Sequence, residues 1–343
     1  MMDIKSASID TVEDLIRSGG FEKYRAKQVA DWLSKGVTSF DEMANLPAKL
    51  REFLKENCVI PSAEIERKRV SKLDGTVKYL FRLNDGEHIE SVVMSYHHGA
   101  SICISTQVGC KMGCTFCATG KSGFARDLLP SEMLAQIETA QKDLGIRIAN
   151  VVLMGMGEPF DNYDNVIRFL RIVTSEDSLN IGMRHITLST CGIVPRIFDF
   201  ADEGLQCGLS VSLHAPTDEA RSRTMPVNRR YPISELMDAC RYYIDKTHRR
   251  VTFEYALISG VNDSDLHARQ LASLIGGMLC HVNLIPVNDV AGAGYTKSSL
   301  LRQRAFVDIL SRSGVNATVR RTLGSDIEAS CGQLKRKFSK GEI

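Results

Sequence analysis

The sequence lacks the features that would place this protein in a membrane or outside the cell. No apolar run approaches the ~18 residues that are needed to cross a bilayer. The first ten residues contain no apolar segment of the kind that secretory signal peptides carry. Ten cysteines without such a signal make a poor disulfide framework. We therefore expect a cytoplasmic protein with reduced thiols and no membrane partner.

A strong net charge, an internal repeat and a coiled-coil signal are also missing. The net charge of +2 excludes a polycation, and the lack of a fixed period excludes a solenoid. We expect a monomer. Positive charge is nonetheless concentrated in residues 221–250, where eight Lys and Arg face three acidic residues. Such a stretch suits a polyanion such as RNA, and a solvated surface without a partner is an equally good interpretation.

Residues 1–60 are predicted to form a small helical module. A helix over residues 22–34 would place Tyr24, Val29 and Trp32 on roughly one face. Apolar residues that share one helical face usually mark the side that packs against other elements. The module is therefore expected to have a small core of its own.

Residues 61–98 are predicted to contain a connecting β-hairpin. Residues 78–83 and 88–94 read as strands, and Asn84-Asp85-Gly86 between them is a turn sequence. A hairpin is the simplest arrangement of two such strands.

Residues 99–343 show a different pattern, in which strands alternate with helical stretches. Six β-rich runs occur, at residues 102–106, 150–154, 185–189, 208–213, 251–257 and 281–285. Strand–loop–helix units of this kind predict an α/β fold with a parallel sheet. Six units are fewer than the eight of a closed barrel, so we predict a partial (β/α)6 barrel.

Residues able to bind ligands gather where the predicted strands end. The group comprises Gly157, Glu158, Ser189, Ser212, His214 and Asn288. Parallel sheets and barrels place their ligand sites at the carboxyl ends of the strands. A histidine at such a position is more often structural, so the case for His214 rests on its place in this group.

The loop after the first strand contains Cys110, Cys114 and Cys117, in a CxxxCxxC spacing. Three thiolates leave one iron of a four-iron cluster open for another ligand. This is the ligand set of radical S-adenosylmethionine (SAM) enzymes. A zinc site is the alternative, which Cys103 or a histidine would have to complete.

Two further cysteines differ from the rest in their surroundings. Cys103 lies on the strand that enters the cysteine loop, and Cys331 lies in a polar stretch near basic residues. A free cysteine is by default a small buried apolar residue. Basic, polar surroundings favour a reactive thiolate instead, so both interpretations of Cys331 stay open.

Taken together, these motifs resemble those of the RlmN family over nearly the whole chain. The matching runs are residues 107–120, 154–159, 212–216, 225–228 and 329–334. The resemblance implies a radical SAM barrel that holds a [4Fe–4S] cluster on Cys110, Cys114 and Cys117. It also implies a methyltransferase for adenine C2 in 23S rRNA and tRNA, with an N-terminal module that helps to hold RNA. By the same resemblance, SAM would contact the strand-end group and Leu213, and flavodoxin or ferredoxin would supply electrons.

The resemblance further implies roles for Cys331, Cys103 and Glu90. Cys331 takes a methyl group from one SAM, and a 5′-deoxyadenosyl radical from a second SAM removes a hydrogen atom from it. The resulting carbon radical adds to C2 and crosslinks the protein to RNA. Glu90 accepts the C2 proton, and a disulfide between Cys103 and Cys331 releases the product. The C-terminal loop must therefore fold over the barrel mouth near Cys103.

Three alternatives remain at this stage. The related adenine C8 methyltransferases, which confer antibiotic resistance, share the cysteines and the fold, although residues 286–299 look more like the C2 family. A zinc-stabilised RNA-binding protein would lack catalysis. A glycyl-radical activase shares the three-cysteine loop but has no use for both Cys103 and Cys331.

Overall fold

The structure is a computed structural model that describes residues 1–288 and 294–334. Residues 289–293, which fall within the 286–299 stretch, and residues 335–343 lie outside the described part. Within it the helices are α1 (Ile9–Ser18), α2 (Arg25–Leu33), α3 (Ala48–Asn57), α4 (Ala118–Lys121), α5 (Pro130–Leu144), α6 (Tyr163–Val173), α7 (Val194–Asp202), α8 (Asp218–Thr224), α9 (Ile233–Thr247), α10 (Asp265–Ile275) and α11 (Leu300–Arg312).

The strands are β1 (Met2–Asp3), β2 (Cys58–Val59), β3 (Ala63–Val70), β4 (Val77–Leu83), β5 (His88–Tyr96), β6 (Gly99–Cys103), β7 (Gln107–Gly109), β8 (Phe124–Asp127), β9 (Ile148–Leu153), β10 (Ile186–Thr190), β11 (Gly208–Ser212), β12 (Val251–Leu257), β13 (Cys280–Pro286) and β14 (Ala317–Val319). No helix in the described ranges has the length and apolar composition that a membrane span requires.

The N-terminal module has its own hydrophobic core, formed by α1, α2, α3 and the short β1–β2 pair. The predicted helix over residues 22–34 is shorter than expected, because α2 begins at Arg25. Tyr24 therefore precedes the helix and is 56% exposed, with the Arg25 guanidinium over its ring. Its expected place on the buried face is wrong, whereas Val29 is fully buried.

One ten-stranded sheet forms the barrel wall, in the order β14-β13-β12-β11-β10-β9-β6-β5-β4-β3. The six predicted parallel strands are confirmed as β6 and β9 to β13. The three-residue β14 adds a seventh parallel strand, too short to be visible in the sequence pattern. The domain boundaries at residues 60 and 98 remain predictions.

The predicted β4–β5 hairpin is confirmed, and it extends the barrel sheet. Strand β5 pairs antiparallel with β6, and β3 adds a further antiparallel strand at the edge. In register, Lys78 pairs with Val92 and Val92 with Cys103. Because paired residues in neighbouring strands share a face, these three side chains lie on one face of the sheet. Tyr79 alternates to the other face, where its hydroxyl donates to Asp143 of α5 (2.6 Å).

Arg221 of α8 connects the ends of two central strands. Its side chain is fully buried. The guanidinium donates to the carbonyl oxygens of Cys191 (2.6 Å), Ser212 (3.0 Å) and Leu213 (3.1 Å), and to the Asn228 side chain (2.9 Å). The planar fork of arginine matches several acceptors at once, which a lysine ammonium cannot do. The loops after β10 and β11 are thereby fixed to one another.

We predict that Arg221→Lys lowers the free energy of unfolding by about 3 kcal/mol, because buried carbonyl groups lose their donors. Urea denaturation of the reduced protein measures this change. Arg223→Lys is the matched control on the same helix, since Arg223 is exposed and pairs with exposed Glu219. The control should stay within about 0.5 kcal/mol of the original protein. Equal midpoints for the two variants would contradict the role of Arg221.

Candidate active site

The cysteine loop is held by a small two-stranded sheet at the barrel mouth. Strands β7 and β8 pair on either side of it, and the Cys110 N–H donates to the Gly123 carbonyl (3.0 Å). Gly109 has a φ of +84°, and a Cβ there would lie 1.9 Å from the Gly123 oxygen. Only glycine fits this approach, so the turn that delivers Cys110 is fixed by the backbone.

Cys110, Cys114 and Cys117 line one cavity and are each partly exposed. Burial raises the pKa of Cys110 to about 12 and also raises that of Cys114, so these thiols need a bound cation to become thiolates. In the described part of the chain, no three Cys, His, Asp or Glu side chains are grouped to hold a single metal ion. A four-iron cluster suits three cysteines of one cavity that are not grouped around a single point, because each cysteine binds a different iron.

The predicted strand-end residues meet in this same cavity, with one exception. Gly157, Glu158, Ser189, Ser212, His214 and Asn288 all line it. The Leu213 side chain is instead fully buried in the hydrophobic core. Strand alternation turns this side chain away from the cavity, so a contact between Leu213 and a ligand there would be made by its backbone, and that contact remains a prediction.

Gly157 and Glu158 form the part of the cavity nearest β7. Gly157 has a φ of +107°, and a Cβ would lie 2.7 Å from the backbone nitrogen of Gln107. The Glu158 carboxylate is buried and accepts from the N–H groups of Phe160 (3.0 Å) and Cys191 (2.7 Å). Burial raises its pKa, so an ammonium group in the cavity would stabilise its charged form.

His214 is held as a neutral hydrogen-bond donor. Its Nδ1 accepts from the Ala256 N–H (2.9 Å), which leaves the proton on Nε2. Burial, aided by the charge of Arg221, lowers the His214 pKa to about 3. The ring packs edge-on against Phe116 of the cysteine loop, at 4.8 Å between centroids. The residue is therefore both structural and able to donate to a ligand.

A second cavity adjoins the first and brings Cys103 and Cys331 together. Both cysteines line it, and Cys331 lines the first cavity as well. Burial raises the Cys103 pKa to about 12, with a further contribution from the negative charge of Cys331. The thiol of Cys103 is consequently protonated at neutral pH, whereas Cys331 is partly exposed.

The loop that carries Cys331 is fastened to the barrel mouth, as the expected folding of the C-terminal loop requires. The Asn288 side chain donates to the Cys331 carbonyl (3.1 Å), and the Ala118 N–H to the Gly332 carbonyl (2.8 Å). The Thr119 hydroxyl donates to the Leu334 carbonyl (2.6 Å). The cysteine loop thus supports the Cys331 loop directly.

Glu90 lies deeper than its sequence context indicates. It sits within β5, is only 2% exposed, and pairs with Lys78 (2.8 Å). Strand alternation puts it on the same face as Val92 and Met94, which line the second cavity. Glu90 itself is not part of the cavity lining.

Sequence reasoning gives no site role to Arg320, a partly buried residue that lines both cavities. The negative charge of Cys331, more than those of Glu254 and Cys103, raises the pKa of this guanidinium. It follows β14, whose three residues give no strand pattern. Recognising β14 as the seventh strand would have placed Arg320 at a strand end with the other site residues.

Comparison with known proteins agrees with this site. Residues 104–272 match the radical SAM superfamily model. Residues 2–60 match the model described as the ribosomal RNA large subunit methyltransferase N-terminal domain.

Curated relatives cover the whole chain. A probable dual-specificity RNA methyltransferase RlmN from Alkaliphilus oremlandii is 54% identical, over 98% of both chains. The Clostridium tetani protein of that name is 52% identical, over 99% of this chain and 97% of the relative. A crystal structure of a radical SAM methyltransferase from Sphaerobacter thermophilus superposes with a TM-score of 0.94 at 45% identity, over 98% of this chain and all of that one.

The superfamily implies a [4Fe–4S] cluster and SAM, and the cavity described above fits both. Its members use these cofactors for radical chemistry. RNA is the substrate class that the relatives' name states. The chain belongs to the RlmN family of radical SAM RNA methyltransferases.

Proposed function

We propose that this enzyme methylates C2 of adenosine, in the peptidyl transferase centre of 23S rRNA and next to the anticodon of tRNA. One observation carries the proposal: Cys103 and Cys331 line a common cavity that adjoins the cavity of the three-cysteine loop. The cofactors in the first cavity could react with a methyl group on Cys331, and RNA in the second cavity could accept it. The name of the curated relatives, dual-specificity RNA methyltransferase, supports two kinds of RNA substrate.

The residues around the first cavity would hold the cofactors. Cys110, Cys114 and Cys117 supply three ligands to the cluster, and when bound, the cluster and SAM supply the 5′-deoxyadenosyl radical. Glu158 would pair with the amino group of SAM, and His214 would donate a hydrogen bond from Nε2. Gly157, Ser189, Ser212, Asn288 and the backbone around Leu213 would complete the binding site.

Cys331 would act as the methyl carrier. Its thiolate sulfur attacks the methyl carbon of SAM, and a sulfur–carbon bond forms as the sulfonium loses its methyl group. Arg320 lines both cavities together with this cysteine. Partial exposure at the junction of both cavities gives this sulfur access to each side.

Cys103 would release the methylated RNA. Its thiol loses a proton as the sulfur attacks Cys331, a disulfide forms, and the bond from Cys331 to the RNA-bound carbon breaks. That carbon takes up a proton and becomes the methyl group. Burial keeps the Cys103 thiol protonated beforehand, which limits premature disulfide formation because only the thiolate is the attacking species. Glu90 lies two residues before Val92 on the same face of β5, and Val92 lines the cavity of Cys103. The Glu90 carboxylate would accept the C2 proton.

Two steps of the proposed reaction require reductants from outside the enzyme. The cluster requires an external donor of the flavodoxin or ferredoxin type, and the Cys103–Cys331 disulfide requires a thiol reductant. We further propose that the enzyme works as a monomer in the cytoplasm, a compartment that keeps thiols such as its ten free cysteines reduced. The N-terminal module would help to hold RNA.

The nucleoside product tests the proposal directly. Anaerobically reconstituted protein, given reductant, SAM and unmodified 23S rRNA or tRNA, should yield 2-methyladenosine in digests of both. Liquid chromatography with mass spectrometry separates this isomer from 8-methyladenosine. Formation of the 8-isomer would move the enzyme to the resistance branch, and no methylated adenosine with an intact cluster would contradict the proposal.

Cys103→Ala should leave a covalent protein–RNA adduct, because no thiol remains to break the bond to Cys331. A slow-migrating band on a denaturing RNA gel reports it. Cys103→Ala combined with Cys331→Ala is the control and should give no adduct. A Cys103→Ala variant that turns over at the original rate would rule out this step.

A further inference from the structure

The buried ammonium group of Lys78 contacts two elements of the site at once. Its Nζ lies 2.8 Å from a Glu90 carboxylate oxygen and donates to the Glu328 carbonyl (3.0 Å). The Lys78 side chain is 5% exposed. Glu328 precedes Cys331 by three residues. A single charge therefore connects strand β5 to the loop that carries Cys331.

The turn before Lys78 holds the same loop at two more points. The Asp326 carboxylate accepts from the Ser71 hydroxyl (2.7 Å) and the Lys72 N–H (2.9 Å). The Asp74 carboxylate accepts from the Gly324 N–H (2.9 Å). The β3–β4 hairpin therefore anchors the loop along its length.

The backbone of the loop needs such anchoring. Glu328 has a φ of +53°, in the left-handed region that side-chain-bearing residues rarely adopt, because the Cβ then lies too close to the following carbonyl oxygen. A conformation of this kind persists only where the surroundings fix it. The hydrogen bond from Lys78 is made to the carbonyl of this residue.

Lys78 also lies on the face of the sheet that carries Cys103. Register pairs Lys78 with Val92, and Val92 with Cys103, across two neighbouring strand pairs. The Cα atoms of Lys78 and Cys103 are therefore about 10 Å apart across the sheet. The loop carbonyl that Lys78 holds is thus fixed relative to the strand of Cys103.

We propose that Lys78 is a positioning residue, which holds the Cys331 loop over Cys103 and keeps the Glu90 carboxylate in place beside the same cavity. The chemistry of Glu90 and Cys331 rests on the proposed function, whereas the placement of the loop does not. Lys78 acts through these residues, since it is not among the residues that line either cavity.

The first test measures the placement of the loop without RNA. Reduced, cluster-loaded protein is equilibrated in glutathione buffers, where oxidised glutathione is reduced to two thiols as the Cys103–Cys331 disulfide forms. Mass spectrometry of the linked peptides gives the effective concentration of the two thiols. Lys78→Met should lower it about tenfold, and Lys78→Arg should restore most of it. Lys72→Met is the matched control, since the side chain of Lys72 is exposed on the same hairpin, and it should change nothing.

The second test separates positioning from a general loss of structure. During turnover with rRNA, Lys78→Met should raise the ratio of trapped protein–RNA adduct to methylated product about tenfold, because resolution slows more than addition. A merely destabilised enzyme would lose adduct and product together. If Lys78→Met fails to load its cluster, a double variant with Lys78→Met and Glu90→Gln replaces it, because this variant leaves neither buried charge unpaired. In the glutathione assay the double variant should show the same tenfold decrease in the effective concentration of the two thiols.

If the variant that loads its cluster has the same effective concentration of the two thiols as the unsubstituted protein, the placement of the loop by Lys78 is overturned. An unchanged adduct ratio would overturn its action through Glu90. Failure of the proposed function differs from failure of the Lys78 proposal, because the unsubstituted protein would then make no 2-methyladenosine. The glutathione assay still decides the placement of the loop in that case.

Discussion

The buried guanidinium of Arg221 is the interaction on which the rest of the site depends. It binds the carbonyl groups of Cys191, Ser212 and Leu213, so the ends of β10 and β11 share one cation. The N–H of Cys191 in turn donates to Glu158, which ends the neighbouring unit. The loops after β9, β10 and β11 are thus connected, the last two by Arg221 and the first through the backbone of Cys191. A cavity that is fixed before ligands arrive avoids the cost of ordering loops on binding.

Two cavities on the carboxyl side of the sheet share their central wall. Cys117, Cys331 and Arg320 contribute to both cavities. In the proposed reaction, the cofactor side uses thiolates that a cluster stabilises, whereas the RNA side uses the partly exposed Cys331 and the buried Cys103. Burial raises the pKa of the Cys103 thiol and so separates it from the cluster ligands, whose thiolates a bound cluster would stabilise.

Much of this could be predicted from the sequence, because it depends on local patterns. The cysteine spacing, the six parallel strands and the glycines of the site are encoded in short segments. The Lys78–Glu90 pair could not be predicted, since it depends on the register of two antiparallel strands. Strand β14 gave no signal because it has three residues, so Arg320 was missed. The family motif predicts a SAM contact at Leu213 but not that its side chain lies in the core, because the motif carries no information about strand alternation.

The central claim is that the methyl group reaches RNA as a carbon radical carried on Cys331. Isotope retention tests it most directly. The enzyme is supplied with SAM that carries a trideuterated methyl group, and the methylated adenosine is analysed by mass spectrometry. The account predicts a product methyl group with two of the three deuteriums, because one is removed as an atom on the protein and replaced by a proton from solvent. A product that retains all three would show direct methyl transfer and would contradict the account.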